Sequence, residues 1–147
     1  MTTASDILKS KPSQAVFAIA PGASVFEALE RMAEKSIGAL LVMEGEQVVG
    51  IITERDYARK IALMSRLSRE TKVREIMSSP VMYVTPQQTC EECMALMTEN
   101  RLRHLPVVKH GKVIGLLSIG DLVANIISEQ RFIIEQLEHY ISGDRAA

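Results

Sequence analysis

The sequence predicts an α+β fold made of two copies of one unit, with the order strand–helix–strand–strand–helix. Residues 15–61 align with residues 80–126 without a gap, and 11 of the 47 aligned positions are identical. In both copies a helix-start signal precedes apolar residues at helical spacing, and two short apolar runs then flank a turn. Duplicated units can pack about a pseudo-twofold axis and leave a cleft between them.

The 147-residue chain divides into four parts. We predict a first repeat at 4–64, a polar and basic linker at 65–79, a second repeat at 80–127, and a C-terminal helix and tail at 128–147. The end of the linker, Val73-Arg74-Glu75-Ile76-Met77, resembles Ala4-Ser5-Asp6-Ile7-Leu8 after a shift of four residues. A unit of about 60 residues is marginally stable alone, so packing between the repeats is expected to stabilise both.

Each copy begins with a short strand, over residues 16–20 and 81–85, and a proline follows each strand. A helix begins next, with Ser24 and Thr89 as N-caps and a glutamate three residues later in a capping box. Apolar residues behind these caps predict an amphipathic helix in both copies. Their positions are Val25, Ala28, Leu29 and Met32 in one copy, and Cys90, Cys93, Met94 and Met97 in the other.

A hairpin and a second helix complete each copy. The predicted hairpin strands are residues 39–43, 47–52, 105–108 and 112–117. A glycine in each intervening turn, Gly45 or Gly111, supports the hairpin assignment. The second helices begin after Thr53 and after Ser118.

The last segment carries more apolar surface than the repeat requires. Apolar residues at helical spacing predict a long amphipathic helix over residues 122–141, in which a break near Ser128 is left open. One face of its second half is a stripe made of Ile133, Ile134, Leu137, Tyr140 and Ile141. Such a stripe favours a homodimer; a helix folded back on its own core is the alternative.

Composition excludes several classes of function. A net charge of −1 and the absence of tryptophan argue against nucleic acid and anionic membranes as partners. We see no secretory signal and no uninterrupted apolar stretch that could span a membrane. Two cysteines do not form a secreted disulfide framework, so a cytoplasmic protein is expected.

Both copies carry one polar motif where the hairpin meets the second helix. Gly50-Ile51-Ile52-Thr53 is followed by Asp56, and Gly115-Leu116-Leu117-Ser118 by Asp121. On one interpretation the hydroxyl and the acid only cap a helix. On the other, free N–H groups at the helix start bind an anion while the carboxylate accepts ribose hydroxyls. Recurrence beside a shared cleft leaves the two interpretations about equally supported.

The two motifs occur together with Ile-Met before a strand, at Ile76-Met77, and with Leu105-Pro106-Val107. In combination the chain resembles a tandem pair of cystathionine-β-synthase-type (CBS) domains, over residues 4–127. The resemblance implies a Bateman-type module that binds an adenosine-containing ligand, such as AMP, ADP, ATP or NAD, in its cleft. It also implies a regulatory protein without catalytic residues, a homodimer, and a regulated partner that the sequence does not name.

The resemblance places two ligand sites in the cleft, each drawing on both repeats. In site one, ribose and phosphate contacts come from Thr53 and Asp56, adenine contacts from Val81 and Met82, and further contacts from Arg103, His104 and Pro106. Site two takes Ser118, Asp121, Val16, Phe17, Gly38, Ala39 and Arg55. Site one is expected to bind more tightly, because Gly38-Ala39 stand where the second repeat has Arg103-His104.

Two other functions stay open at this point. Cys90 and Cys93 form a C-x-x-C at a helix start, which would suit a thiol redox protein. However, Val25 and Ala28 occupy the matching positions, which favours a core role for both cysteines. The other alternative is a structural interaction module without a ligand. The three histidines lack zinc-ligand spacing, and Arg59 and Lys60 are interpreted as a solvated helix face.

Overall fold

The chain folds into two halves, each with a helix, a hairpin and a second helix. In the computed structural model, which describes residues 1–13 and 15–142, α1 (Ala4–Ser10) and β1 (Ala18–Ile19) precede α2 (Val25–Lys35). The first half continues with β2 (Ala39–Glu44), β3 (Gln47–Thr53), α3 (Glu54–Tyr57) and a π-helical turn (Ala58–Ala62). After α4 (Val73–Ile76), the second half contains α5 (Cys90–Asn100), β4 (His104–Lys109), β5 (Lys112–Ser118) and α6 (Ile119–Ile141).

The two hairpins have the same register. Ala39 pairs with Thr53 in the first hairpin, and His104 pairs with Ser118 at the equivalent position of the second. Each hairpin has one register shift, after Val42 in the first and after Val107 in the second. The predicted repeat is therefore present in the structure, including the register shift in each hairpin. No end of a hairpin strand differs from its predicted position by more than one residue.

The predicted first strands form only in part. β1 has two residues and pairs in parallel with β2, whereas Val84 makes a single parallel bridge to Val107. The difference has a chemical cause: Leu41 N donates to the carbonyl of Phe17 at 3.2 Å, and Pro106 occupies the place of Leu41 in the second half. Proline has no N–H, so the equivalent bond to residue 82 cannot form.

Both predicted N-caps are correct, but only one capping box is complete. The Ser24 hydroxyl accepts from Glu27 N at 3.1 Å. In the second half Thr89 and Glu92 make the reciprocal pair, with Thr89 N donating to the Glu92 carboxylate at 3.2 Å. Ser24 N has no such partner among the hydrogen bonds of the described residues, so the box predicted there is half formed.

The last helix runs without interruption from Ile119 to Ile141, so the break considered near Ser128 does not occur. Leu122 is its only buried residue. The predicted apolar stripe is exposed, from 53% at Ile134 to 82% at Ile141, and it does not fold back on the core of its own chain. Across the described part of the chain, no helix combines the length and the apolarity needed to cross a membrane.

The two short helices α1 and α4 precede the first and the second repeat, respectively. Each packs on the other repeat: α1 on the second and α4 on the first. Ala4 N, in α1, donates to the carbonyl of Gln88 at 2.8 Å, and Val73 N, in α4, donates to the carbonyl of Ala23 at 2.9 Å. These matching bonds agree with the four-residue shift noted in the sequence. Packing contacts therefore cross the limits predicted for the two repeats, residues 4–64 and 80–127. These domain limits remain predictions.

The hydrophobic cores show the same arrangement, in which each half contains residues of the short helix that precedes the other half. Val73 and Ile76 of α4 complete the core of the first half. Ala4, Ile7 and Leu8 of α1 complete the core of the second half. Between the halves lies a third apolar cluster of Ala39, Leu41 and Ile51, against which side chains of both halves pack. This third cluster is the packing surface between repeats that the duplication predicts.

We expect Gly115→Ala to destabilise the protein by roughly 1–3 kcal/mol, because overpacking a filled core strains it. A Cβ at Gly115 would lie 2.5 Å from Leu8 Cδ2. Gly120→Ala is the matched control, since its nearest neighbour would be Ser118 Oγ at 3.5 Å. Chemical denaturation measures both variants.

A second measurement tests the named contact. In a Leu8→Ala background the cost of Gly115→Ala should shrink, because the two changes relieve each other across one contact. Equal costs for Gly115→Ala and Gly120→Ala in the natural background would show that α1 does not pack tightly at this position.

Candidate functional site

Thr53 and Asp56 fix each other at the junction of β3 and α3. Asp56 N donates to Thr53 Oγ1 at 3.1 Å, and Asp56 Oδ2 accepts from Thr53 N at 2.9 Å. Asp56 Oδ1 lies 3.4 Å from Lys60 Nζ. The helix-cap interpretation is therefore correct for this motif. It does not exclude a ligand, since a carboxylate has about four acceptor positions and these contacts do not fill them.

Ser118 and Asp121 form the same cap at the start of α6, with one addition. Ser118 N donates to Asp121 Oδ2 at 2.8 Å, and Lys11 Nζ lies 3.0 Å from that oxygen. Lys11 Nζ also donates to the carbonyl of Leu116 at 2.8 Å. The equivalent carbonyl in the first half, that of Ile51, accepts from Ser78 N at 2.9 Å instead. A lysine from the end of α1 thus occupies the second motif.

The first motif opens onto a cleft that both halves line. This arginine cleft has a volume of about 370 Å³ and contains Thr53 and Asp56 of the first half beside Arg103 and His104 of the second. Its other lining residues are Gly38, Ile51, Glu54, Arg55, Arg59, Ser78, Arg101 and Leu102. The structure therefore brings together four of the seven residues predicted for site one.

Two more residues predicted for site one lie in a second pocket, which is largely apolar. This proline pocket, of about 380 Å³, is lined by Val81 and Pro106 together with Val48, Val49, Ser79, Pro80, Tyr83 and Val108. Ser79 here and Ser78 in the arginine cleft are neighbours in the chain. Met82 lines neither space, and its side chain is 39% exposed.

The residues predicted for site two are divided. Phe17, Gly38, Ala39 and Ser118 line a third space of about 670 Å³, the lysine cleft, whose other lining residues are Lys11, Pro12, Ser13, Ala15, Lys35, Ser36, Ile37, His104 and Leu116. Val16 packs against the apolar cluster between the halves. Asp121 lies beneath Lys11. Arg55 lines the arginine cleft, so its assignment to site two places it on the wrong side.

His104 lies between the two clefts and lines both. Burial lowers its pKa, and the nearby Asp121 only partly opposes this effect. The imidazole is therefore neutral at pH 7. Burial disfavours the charged ring, so His104 adds little positive charge to the arginine cleft.

Arginines supply the positive charge of the arginine cleft. The guanidinium of Arg103, and after it that of Arg59, lowers the pKa of Arg55. Like charges are therefore concentrated here, and Asp56 opposes them only in part. Arg59 belongs to this group, so its interpretation as part of a solvated helix face alone is incomplete.

Sequence reasoning missed Arg101, Lys11 and Lys35. Arg101 precedes Arg103 by two positions, and this basic pair was a usable signal. The two lysines gave no signal, because Lys11 and Lys35 are distant in the sequence and line one cleft only in the folded chain. Lys35 Nζ lies 5.5 Å above the ring of Phe17, inside the same cleft.

The two cysteines are free and buried. Burial raises the pKa of both thiols, and that of Cys93 reaches about 11. The helix start does not activate them, which disfavours the thiol redox alternative. Within residues 1–13 and 15–142, no three His, Cys, Asp or Glu side chains are grouped so that they could hold a metal ion.

Comparison with known proteins identifies relatives over most of the chain. The family model of the CBS domain matches residues 4–63 and 73–128. The CBS domain-containing protein CBSX3, mitochondrial, of Arabidopsis thaliana is 42% identical over 150 residues, which cover 97% of this chain and 73% of the relative.

The solved structures similar to this chain also include proteins with CBS domains. A protein with CBS domains from Burkholderia ambifaria is 53% identical, with a TM-score of 0.85 over 88% of this chain and 96% of that one. The structure of CBSX2 in complex with AMP is 26% identical, with a TM-score of 0.72 over 88% of this chain and 99% of that one.

We expect neither thiol of the native protein to react with a disulfide reagent near pH 8, because the raised pKa values keep both protonated. Both should react at once in guanidinium, which serves as the control for reagent and protein. Rapid labelling of Cys90 or Cys93 in the native state would instead favour the redox alternative.

Proposed function

This chain belongs to the CBS domain family, and we propose that its two repeats form a regulatory module that binds an adenosine-containing ligand, such as AMP, ADP, ATP or NAD. The observation that carries the proposal is one cleft that joins Asp56 of the first repeat to Arg103 of the second. A carboxylate accepts ribose hydroxyls, and guanidinium groups bind phosphate. The AMP complex of the structural neighbour CBSX2 supports this class of ligand.

The proline pocket supports an adenine position beside the ribose. Val81 and Pro106 offer apolar surface to a planar base. Pro106 has no N–H to donate to residue 82, so the Met82 carbonyl keeps acceptor capacity for the amino group of adenine. In this proposal Thr53 and Asp56 hold the ribose, and Arg103 holds phosphate. His104 takes part as a neutral hydrogen-bonding group.

We propose that site two binds the ligand more weakly than site one, because contacts within the protein already occupy two of its groups. The Phe17 carbonyl, which would face an adenine there, already accepts from Leu41 N at 3.2 Å. The carboxylate of Asp121, which would take the ribose, is 3.0 Å from Lys11 Nζ. A ligand that used Ser118, Gly38 and Ala39 as predicted would have to displace Lys11.

The proposed role is to sense a ligand without transforming it. CBS pairs act as regulatory modules, and we propose no catalytic residue for this chain. The protein it would regulate is not identified by any residue described here. A cytoplasmic location stays a prediction, and CBSX3, a relative, is a mitochondrial protein by name.

Calorimetry with AMP, ADP, ATP, NAD and S-adenosylmethionine tests the proposed function. We expect binding of at least one, and Asp56→Ala should weaken the tightest by on the order of 1.5–3 kcal/mol, since it removes a charged acceptor. A thermal shift should accompany binding, because a ligand that binds only the folded state stabilises it.

Asp121→Ala is the matched control, because it removes the same type of helix cap from the other repeat. It should lower stability to a similar degree while leaving the tight site largely intact. No response to any of the five ligands at millimolar concentration would refute the proposed function. Loss of tight binding in Asp121→Ala alone would reverse the order of the two sites.

We further propose that the exposed stripe of α6 joins two copies of the chain in a homodimer. Ile133, Ile134 and Leu137 of this stripe are all more than half exposed, although they are large and apolar. A continuous apolar face of this kind is costly in water, and twofold dimers are the commonest way to cover it.

We expect Leu137→Lys to shift the dimer towards monomer, because it places a charge in the centre of the buried stripe. Glu135→Lys places a lysine on the opposite face of the helix and should leave the dimer intact. Sedimentation at tens of micromolar, repeated on a chain that ends at Glu129, measures the effect. A monomer in all cases contradicts the homodimer, and a dimer that survives truncation moves the interface to the repeats.

A further inference from the structure

The arginine cleft contains more cationic groups than one phosphate can use. Arg55 and Arg59 come from the first half, and Arg101 and Arg103 come from the loop between α5 and β4 in the second. In the described part of the chain the only arginine ion pair is that of Arg66 with Glu75. Among the described residues, therefore, no carboxylate lies within ion-pair distance of the four cleft arginines.

Charge in this cleft is not balanced by the protein itself. Four arginines and two acids, Glu54 and Asp56, line it, which leaves an excess of two positive charges (four minus two). Asp56 is also engaged by Lys60 at 3.4 Å. The lowered pKa of Arg55, caused first by Arg103, is a second sign of this unbalanced charge.

From this arrangement we infer that the arginine cleft selects adenosine ligands that carry two or more consecutive phosphates over AMP. The inference rests on the proposed function and specifies its ligand class. A terminal phosphate carries about two negative charges at pH 7, which two guanidinium groups balance. Because Lys60 already engages Asp56, only Glu54 opposes the four arginines, and two of the four can serve a second phosphate.

The positions of the arginines assign them to different phosphates. Arg55 is half-buried and adjoins Asp56, the proposed ribose ligand, so it serves the first phosphate with Arg103. Arg59 lies one helical turn after Arg55, and Arg101 lies two positions before Arg103; Arg59, Arg101 and Arg103 are all exposed. Arg59 and Arg101 form the distal pair, which a second phosphate reaches and AMP does not.

Calorimetry on the full chain, at constant ionic strength and without divalent cations, tests the inference. The probes are AMP, ADP, ATP, NAD and inorganic pyrophosphate. We expect ADP to bind at least about tenfold more tightly than AMP, because further charge-assisted hydrogen bonds form. The affinity for ADP should also fall more steeply with added salt. Comparison of ADP, ATP and NAD distinguishes a nucleoside polyphosphate from a dinucleotide.

The double variant Arg59→Ala/Arg101→Ala isolates the distal pair. It should reduce the affinity for ADP to that for AMP while changing AMP binding by less than about twofold. Lys112→Ala/Arg131→Ala removes the same charge outside the cleft and should preserve the preference for ADP. Loss of preference in this control as well would assign the effect to net charge and overturn the inference.

The outcomes separate this inference from the proposed function. Equal binding of AMP and ADP, unchanged in the double variant, overturns the inference and leaves an adenosine site. Binding of pyrophosphate with no response to any adenosine ligand overturns the proposed function and, with it, the inference as an adenosine-ligand preference, and leaves a site for diphosphate alone. No response to any probe overturns both.

Discussion

Neither repeat contains all of its own hydrophobic core. The core of each repeat is completed by the short helix that precedes the other repeat in the chain. Val73 and Ile76 of α4 fill the first half, and α1 fills the second. The helices fit because Gly50 and Gly115 leave no Cβ where Met77 and Leu8 pack. Since small units bury too little apolar surface alone, this exchange makes the stability of each half depend on the other.

The same exchange determines the clefts. Because α4 ends against the first hairpin, Ser78 pairs with Ile51 of β3 through two backbone hydrogen bonds. Ser78 thereby lines the arginine cleft. Because α1 ends against the second hairpin, Lys11 arrives at Leu116 and Asp121 instead. Two motifs that share one pattern of glycine, apolar, hydroxyl and acidic residues thus have different surroundings, one beside arginines and the other beside a lysine.

One proline adds to this difference. Pro106 removes a backbone donor from β4, so the second half replaces the two-residue strand β1 with a single bridge at Val84. The Met82 carbonyl therefore receives no hydrogen bond from position 106, whereas the Phe17 carbonyl accepts from Leu41 N at 3.2 Å. The difference between the two clefts therefore arises from small local changes in sequence, because the two hairpins keep the same register.

By itself the sequence determined the duplication, the hairpins, the N-caps Ser24 and Thr89 and the amphipathic last helix, because these depend on short-range periodicity, capping and turn chemistry. It also marked Thr53, Asp56 and Arg103 as residues of one cleft. Only the tertiary structure decided that Arg55 joins Arg103, that Lys11 covers Asp121 and that burial keeps His104 neutral. Each of these follows from contacts between segments distant in the chain, which the spacing of residues along one copy does not encode.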